Sequence, residues 1–202
     1  MAYTISEIFS ALQGEGNRAG SLNVFVRFSG CNLRCVKKEH GFDCDTDFQS
    51  VYNRYKTPED LVLECEKVWG LAHGPKAVIL TGGEPSLQIN DELIDCFHAA
   101  GFYVAVETNG LKELPKGVDW ISCSPKTAEH TLKLKQVNEL RYVRDIRQGI
   151  PKTKIKADYY YLSPAADGGG PKQESLNWCM KLIGENPEWR LSVQMHKLWD
   201  IR

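Results

Sequence analysis

Cys31, Cys35 and Cys44 fall in one short stretch, directly after a run of strand formers, Val24-Phe-Val-Arg-Phe28. Clustered thiols are metal ligands as readily as they are disulfide partners. Three of them are one short of the four that close a structural zinc or iron–sulfur site. In a [4Fe–4S] cluster held by three thiolates the fourth iron stays open. An open iron can chelate an amino and a carboxylate group, and a methionine supplies both. A zinc ion, with His40 from the same stretch as fourth ligand, is the competing reading of these residues taken alone. The other cysteines read differently. Cys65 and Cys179 fall on apolar helix stripes, Cys123 alternates with Ile121, and Cys96 has no motif around it. Free cysteine is a common small core residue.

Four further polar motifs carry chemistry. They are Thr81-Gly82-Gly83-Glu84-Pro85, Glu107-Thr-Asn109-Gly110, Ser124-Pro-Lys126 and Gln194-Met-His196. Gly82 and Gly83 offer backbone that a ligand can approach closely, and Pro85 stiffens the exit of that turn. Glu107 and Asn109 are suited to hydrogen-bonding ribose hydroxyls or a methionine portion. Lys126 at a strand end can pair with a carboxylate. Each motif alone is compatible with an ordinary turn or a solvated charge.

The elements between the motifs say why they should meet. Ala77–Leu80, Tyr103–Val106, Asp119–Cys123, Glu139–Val143, Tyr159–Leu162 and Arg190–Gln194 read as strands beside Val24–Phe28. Thr57-Pro58-Glu59-Asp60 has a capping residue, a proline at the first helical position and acids in the first turn. Leu61, Cys65, Val68 and Ala72 follow at helical spacing. Leu93, Phe97 and Ala100 mark a second helix, and Leu176, Cys179, Met180 and Ile183 a third. Strands alternating with helices imply a mostly parallel sheet. Three helices are too few for a complete eight-fold barrel. The expected fold is therefore α/β: a partial, open barrel of about six mostly parallel strands with few helices. Parallel sheets bind ligands at the carboxyl ends of their strands, so the motifs should converge on one cleft.

The bulk numbers fit a single domain over 1–202, with an extended cysteine loop at 31–48. Of the 202 residues 42% are hydrophobic and 25% charged, an ordinary globular mix. Twenty-five Lys and Arg against 26 Asp and Glu leave a net charge of −1, unlike a nucleic-acid binder. The first residues lack a signal-peptide pattern, and no apolar run approaches the roughly 20 residues of a membrane span. The expectation is a cytoplasmic protein with no nucleic-acid or membrane partner.

A cysteine loop after the first strand and a Gly-Gly-Glu-Pro turn after the next resembles the radical S-adenosylmethionine superfamily. The usual cysteine spacing there is three residues, then two. Here the gaps are three and eight. A second resemblance is narrower. Glu7 to Gly16, Phe25-Val-Arg27-Phe-Ser-Gly-Cys31, Cys44-Asp45-Thr46-Asp47-Phe48 and the four strand-end motifs resemble, in order and spacing, the 7-carboxy-7-deazaguanine synthases. The likeness runs from about Ile5 to the C-terminus.

That resemblance implies an enzyme, a carbon–nitrogen lyase. A [4Fe–4S] cluster on Cys31, Cys35 and Cys44 would deliver an electron to S-adenosylmethionine. The resulting 5′-deoxyadenosyl radical would act on 6-carboxy-5,6,7,8-tetrahydropterin, whose ring contracts with loss of ammonia. The product feeds the queuosine tRNA modification. The resemblance also assigns residues. Asp45, Gly82, Gly83, Glu84, Glu107, Asn109, Ser124 and Lys126 would bind S-adenosylmethionine. Thr46 would ligate Mg2+, which favours few protein ligands and several oxygens from elsewhere. Leu12, Gln13, Gly14, Glu15, Gly16, Arg27, Thr81, Gly83, His196 and Arg202 would bind the pterin. Glu15 is suited to accept paired N–H donors, and Arg27 offers a planar fork for the substrate carboxylate. A flavodoxin or ferredoxin is the expected electron donor and a homodimer the expected assembly. Two other readings share some of these residues: a glycyl-radical activating enzyme, and a non-enzymatic module stabilised by zinc.

Overall fold

The computed structural model describes residues 2–36, 44, 47, 49–167 and 170–201. Strand β1 (Tyr3–Leu12) is followed by β2 (Leu22–Phe28), β3 (Asn53–Tyr55) and helix α1 (Pro58–Trp69). Then come β4 (Lys76–Gly82), α2 (Asp91–Ala99), β5 (Phe102–Thr108), β6 (Trp120–Cys123), β7 (Gln136–Arg144) and β8 (Lys156–Pro164). A small ribbon of β9 (Ala166–Asp167) and β10 (Gly170–Pro171) precedes α3 (Gln173–Glu185), β11 (Trp189–Leu191) and the short α4 (Met195–Trp199).

The main sheet is open and has nine strands, in the order β11-β8-β7-β6-β5-β4-β2-β1-β3. From β2 to β11 every neighbouring pair is parallel. These seven strands are the ones that apolar runs announce. The expectation of about six misses β1 and β3, which pair antiparallel at one edge. The reason is local. A register shift between Ile5 and Glu7 breaks the period-two alternation of β1. β3 is three residues long and mostly exposed. The last strand is also shorter than its sequence suggests. It ends at Leu191, and His196 stands on α4 instead of at a strand end.

Alternation sorts the side chains of the parallel strands onto two faces. Val24, Val26 and Phe28, with Val78, Leu80, Val104 and Val106, pack under α1 and α2 in one fully apolar core. Leu140 and Leu162 join Cys179 of α3 and Trp189 in a second. The start of α1 follows its sequence cue, and α2 begins on a cap of the same kind. The Thr57 hydroxyl accepts from the Asp60 N–H at 3.2 Å, and Asn90 Oδ1 accepts from the Leu93 N–H at 3.0 Å. Cys65, Cys123 and Cys179 are fully buried in these cores. Burial pushes the Cys123 thiol up to about 12 and the Cys179 thiol up to about 11, as for inert structural cysteines. The face away from the helices is where the polar residues point.

Candidate active site

Sheet register alone builds the floor of the site. Arg27 of β2 pairs with Thr81 of β4; Glu107 of β5 pairs with Ser122 of β6; Ser122 pairs with Glu139 of β7. The Thr81 hydroxyl donates to Glu107 Oε2 at 2.9 Å and completes the row. Five adjacent parallel strands thus present one polar row on the helix-free face. Arg141, two residues beyond Glu139, must face the same way. Below the row, Phe9 and Phe25 stack with centroids 5.2 Å apart over Ile79 and Ala105.

Above this floor lies a cleft of about 1400 Å3. A pocket for one small ligand spans roughly 300–1000 Å3, so this space suits a cofactor and a substrate side by side. Cys31, Cys35 and Cys44 share one wall. The Cys44 N–H donates to the Cys35 carbonyl at 3.2 Å, which returns the chain to Cys35 across the eight-residue gap. Burial raises the Cys31 and Cys35 thiols; at Cys35 the positive charge of Lys126 acts against it. Among the described residues no three His, Cys, Asp or Glu side chains close on a common point as a metal site. The donor set itself, three thiols within electrostatic reach of one another on one wall, fits an iron–sulfur cluster.

The strand-end turns lean on the cysteine loop. Gly82 has φ +111°, and a Cβ there would lie 2.4 Å from the Phe28 nitrogen, so only glycine fits. The Gly83 N–H donates to the Phe28 carbonyl and the Glu84 N–H to the Gly30 carbonyl, at 2.8 and 2.9 Å. Glu84 is 1% exposed. Its carboxylate accepts from the Ser86 N–H, the Thr108 hydroxyl and the Asn109 N–H, locking two turns together. Asn109 Nδ2 donates to Asn32 Oδ1 at 2.8 Å, tying the second of these turns to the cysteine loop. Lys126 Nζ donates to Ser124 Oγ at 2.7 Å.

At the opposite end, Arg141 is 6% exposed and sits among carboxylates. Its Nη1 pairs with Glu15 Oε2 and lies 3.7 Å from Glu139 Oε1; its Nη2 lies 3.6 Å from Glu107 Oε1. The Gln13–Gly16 loop is held over this group. Gln13 Nε2 donates to Glu107 Oε1 at 2.9 Å, the Gly16 N–H to Ser192 Oγ at 3.0 Å, and the Asn17 N–H to Glu139 Oε2 at 2.9 Å. The Met195 N–H donates to the Gly14 carbonyl, and a Cβ on Gly14 would collide with the His196 ring. Arg27 pairs with Glu7 at 3.2 Å and lies over the Phe9 ring.

Most of the residues singled out from sequence therefore line one cleft. Leu12, Gln13, Gly14, Glu15, Arg27, Thr81 and His196 join the three cysteines, Gly82, Gly83, Glu84, Glu107, Asn109, Ser124 and Lys126. Gly16 does not line it; Gly16 presses on Glu139 beneath. Asp45, Thr46 and Arg202, like His40, lie outside the described residues. Arg141 and Glu139 were not among the sequence candidates. Their signal was present: Glu139-Leu-Arg141-Tyr-Val143 puts two charges at period two on one face of a central strand.

Titration of Glu107 follows from its neighbours. Burial pushes its carboxyl up, but Arg141, with hydrogen bonds from Gln13 and Thr81, outweighs this and holds it below the ordinary carboxylate value. The unfolded chain then binds the proton more tightly. The stability Glu107 contributes is complete above the ordinary range and is lost as pH falls through the lowered value. Glu139 runs the other way: burial raises it despite Arg141, so its ionisation costs stability as pH rises. Glu107→Gln should accordingly flatten the acid limb of the stability curve. Chemical denaturation across pH checks this, and an unchanged acid limb counts against the pairing.

An open, mostly parallel α/β sheet that gathers three thiols and a Gly-Gly-Glu-Pro turn at its strand ends defines a class, the radical S-adenosylmethionine proteins. No family model matches the chain. Two curated relatives are similar along their whole length. The 7-carboxy-7-deazaguanine synthase of Bacteroides thetaiotaomicron is 39% identical over 202 residues, covering 100% of both chains. That of Caulobacter vibrioides is 39% identical over 210 residues, covering 98% of each. The crystal structure of QueE from Escherichia coli matches in fold, with a TM-score of 0.72 over 97% of this chain and 95% of that one, at 24% identity. The chain belongs to the 7-carboxy-7-deazaguanine synthase family, and that family implies a [4Fe–4S] cluster and S-adenosylmethionine. Among the described residues no helix is long and apolar enough to cross a membrane.

Proposed function

We propose that this protein converts 6-carboxy-5,6,7,8-tetrahydropterin to 7-carboxy-7-deazaguanine, with loss of ammonia, in queuosine biosynthesis. The observation that carries the reading is the single cleft with two chemically distinct ends, thiols at one and a charged hydrogen-bonding floor at the other. Bound at the thiol end, the cluster and S-adenosylmethionine supply a carbon radical able to take a hydrogen atom from the substrate. The rest is done by the chain. Cys31, Cys35 and Cys44 hold the cluster. Backbone at Gly82 and Gly83, with Asn109, Ser124 and Lys126, holds the amino acid end of the cofactor. Glu84 and Glu107 fix the turn and the floor between the two ligands, and Asp45 contributes to S-adenosylmethionine binding. At the far end Glu15 and Gln13 receive the amide-like donors of the pterin, Arg27 its carboxylate, and Leu12, Thr81 and His196 its ring. The Thr46 hydroxyl ligates Mg2+, and Arg202 contributes to pterin binding. A flavodoxin or ferredoxin delivers electrons, and the working form is a cytoplasmic homodimer.

The test is anaerobic incubation of reconstituted protein with reductant, S-adenosylmethionine, Mg2+ and the tetrahydropterin. Iron and sulfide near four per chain, with formation of the deazaguanine, are expected. One zinc per chain without sulfide, or cofactor cleavage without turnover of the pterin, overturns the assignment.

Arg27 yields a graded outcome. Charged hydrogen bonds contribute roughly 1.5–3 kcal/mol. Arg27→Ala should weaken pterin binding by about ten-fold to a hundred-fold, and Arg27→Lys, which keeps the charge, should weaken it less. Both variants should retain full iron content. Anaerobic calorimetry decides; wild-type affinity in Arg27→Ala would place the substrate carboxylate elsewhere.

A further inference from the structure

We propose that Arg141 is a positioning residue for substrate recognition: it fixes the Glu15 carboxylate in the orientation that receives the N–H edge of the pterin. The inference rests on the proposed function above and deepens it. Glu15 belongs to a loop whose backbone is pinned on several sides, by Ser192, Glu139 and Met195. Its side chain has no such anchor in its own loop and makes no cap to the turn that follows it. The ion pair to Arg141 Nη1 is what sets its direction.

Arginine suits this place and lysine does not. A guanidinium projects donors in a fixed planar fork, whereas an ammonium is a mobile point charge. Here Nη1 is ion-paired with Glu15, and Glu107 and Glu139 lie at 3.6 and 3.7 Å, distances of charge attraction and not of hydrogen bonding. One cation among three carboxylates leaves a net excess of negative charge and unfilled acceptor sites. A ligand edge rich in N–H donors supplies what is missing. Arg141 also borders the cleft, but it is almost fully buried and its Nη1 is held on Glu15, so it acts through that carboxylate.

The experiment is a double-mutant cycle on the cluster-loaded protein. Affinities for 6-carboxy-5,6,7,8-tetrahydropterin and, separately, for S-adenosylmethionine are measured by anaerobic calorimetry. Arg141→Lys should lower pterin affinity by about ten-fold, the loss of one charge-assisted contact, and leave cofactor affinity unchanged. In a Glu15→Gln background the same change should have little further effect. Equal, additive losses in the two backgrounds, or wild-type pterin affinity in Arg141→Lys, overturn the proposal. Should Arg141→Lys fail to fold, Glu15→Gln/Arg141→Gln, in which both charges leave together, takes its place. The proposal requires it to bind pterin as Glu15→Gln alone does, and a clearly weaker double variant refutes it. Wild-type protein that binds no pterin at all refutes the proposed function instead.

Discussion

Alanine at Cys31, Cys35 or Cys44 should each abolish cleavage of S-adenosylmethionine, while Cys65→Ala leaves it intact. Three thiolates leave one iron open for the cofactor; two cannot hold the cluster in that geometry. The eight-residue second gap makes Cys35 and Cys44 the informative pair. The hydrogen bond from the Cys44 N–H to the Cys35 carbonyl brings them together, so the gap does not separate the ligands in space. Cys65 is fully buried among the apolar side chains of the first core. Its loss trims packing and touches no ligand. Iron and sulfide content, cluster absorbance and methionine release are the readouts. A Cys35→Ala protein with a full cluster and wild-type cleavage would show that another residue is the ligand.

Arg141→Ala should be the most destabilising change in the cleft. Removing one partner of a buried ion pair leaves the others uncompensated, at a cost of about 3–5 kcal/mol. For a chain of this size each kcal/mol lowers the melting temperature by about 2–4 °C, so a drop of about 6–20 °C is expected. Glu139 carries most of this cost because it is 2% exposed, whereas Glu107 and Glu15 keep some contact with solvent. Adding Glu139→Gln to Arg141→Ala should therefore recover part of the loss. Thermal denaturation of the three proteins settles the matter. A melting point for Arg141→Ala within a degree or two of wild type would mean the carboxylates do not depend on it.

The sequence by itself determined which residues stood as candidates, the three clustered cysteines and the strand-end motifs. The cysteines, the Gly-Gly-Glu-Pro turn and the Ser-Pro-Lys motif are contiguous, and the chain geometry they need is local. The cap at Thr57 and the seven apolar strand runs were legible for the same reason: helix and strand periods are written in neighbouring residues. Tertiary structure decided the rest. The bulge in β1 hid the strand next to the sheet edge, because one shifted residue destroys an alternating pattern. Burial of Glu84 beneath Thr108 and Asn109, the fit of Gly14 against His196, and the gathering of Glu15, Glu107 and Glu139 around Arg141 all depend on which strands lie side by side and in what register. Those pairings join residues far apart along the chain, and only the assembled sheet brings them within reach of one another.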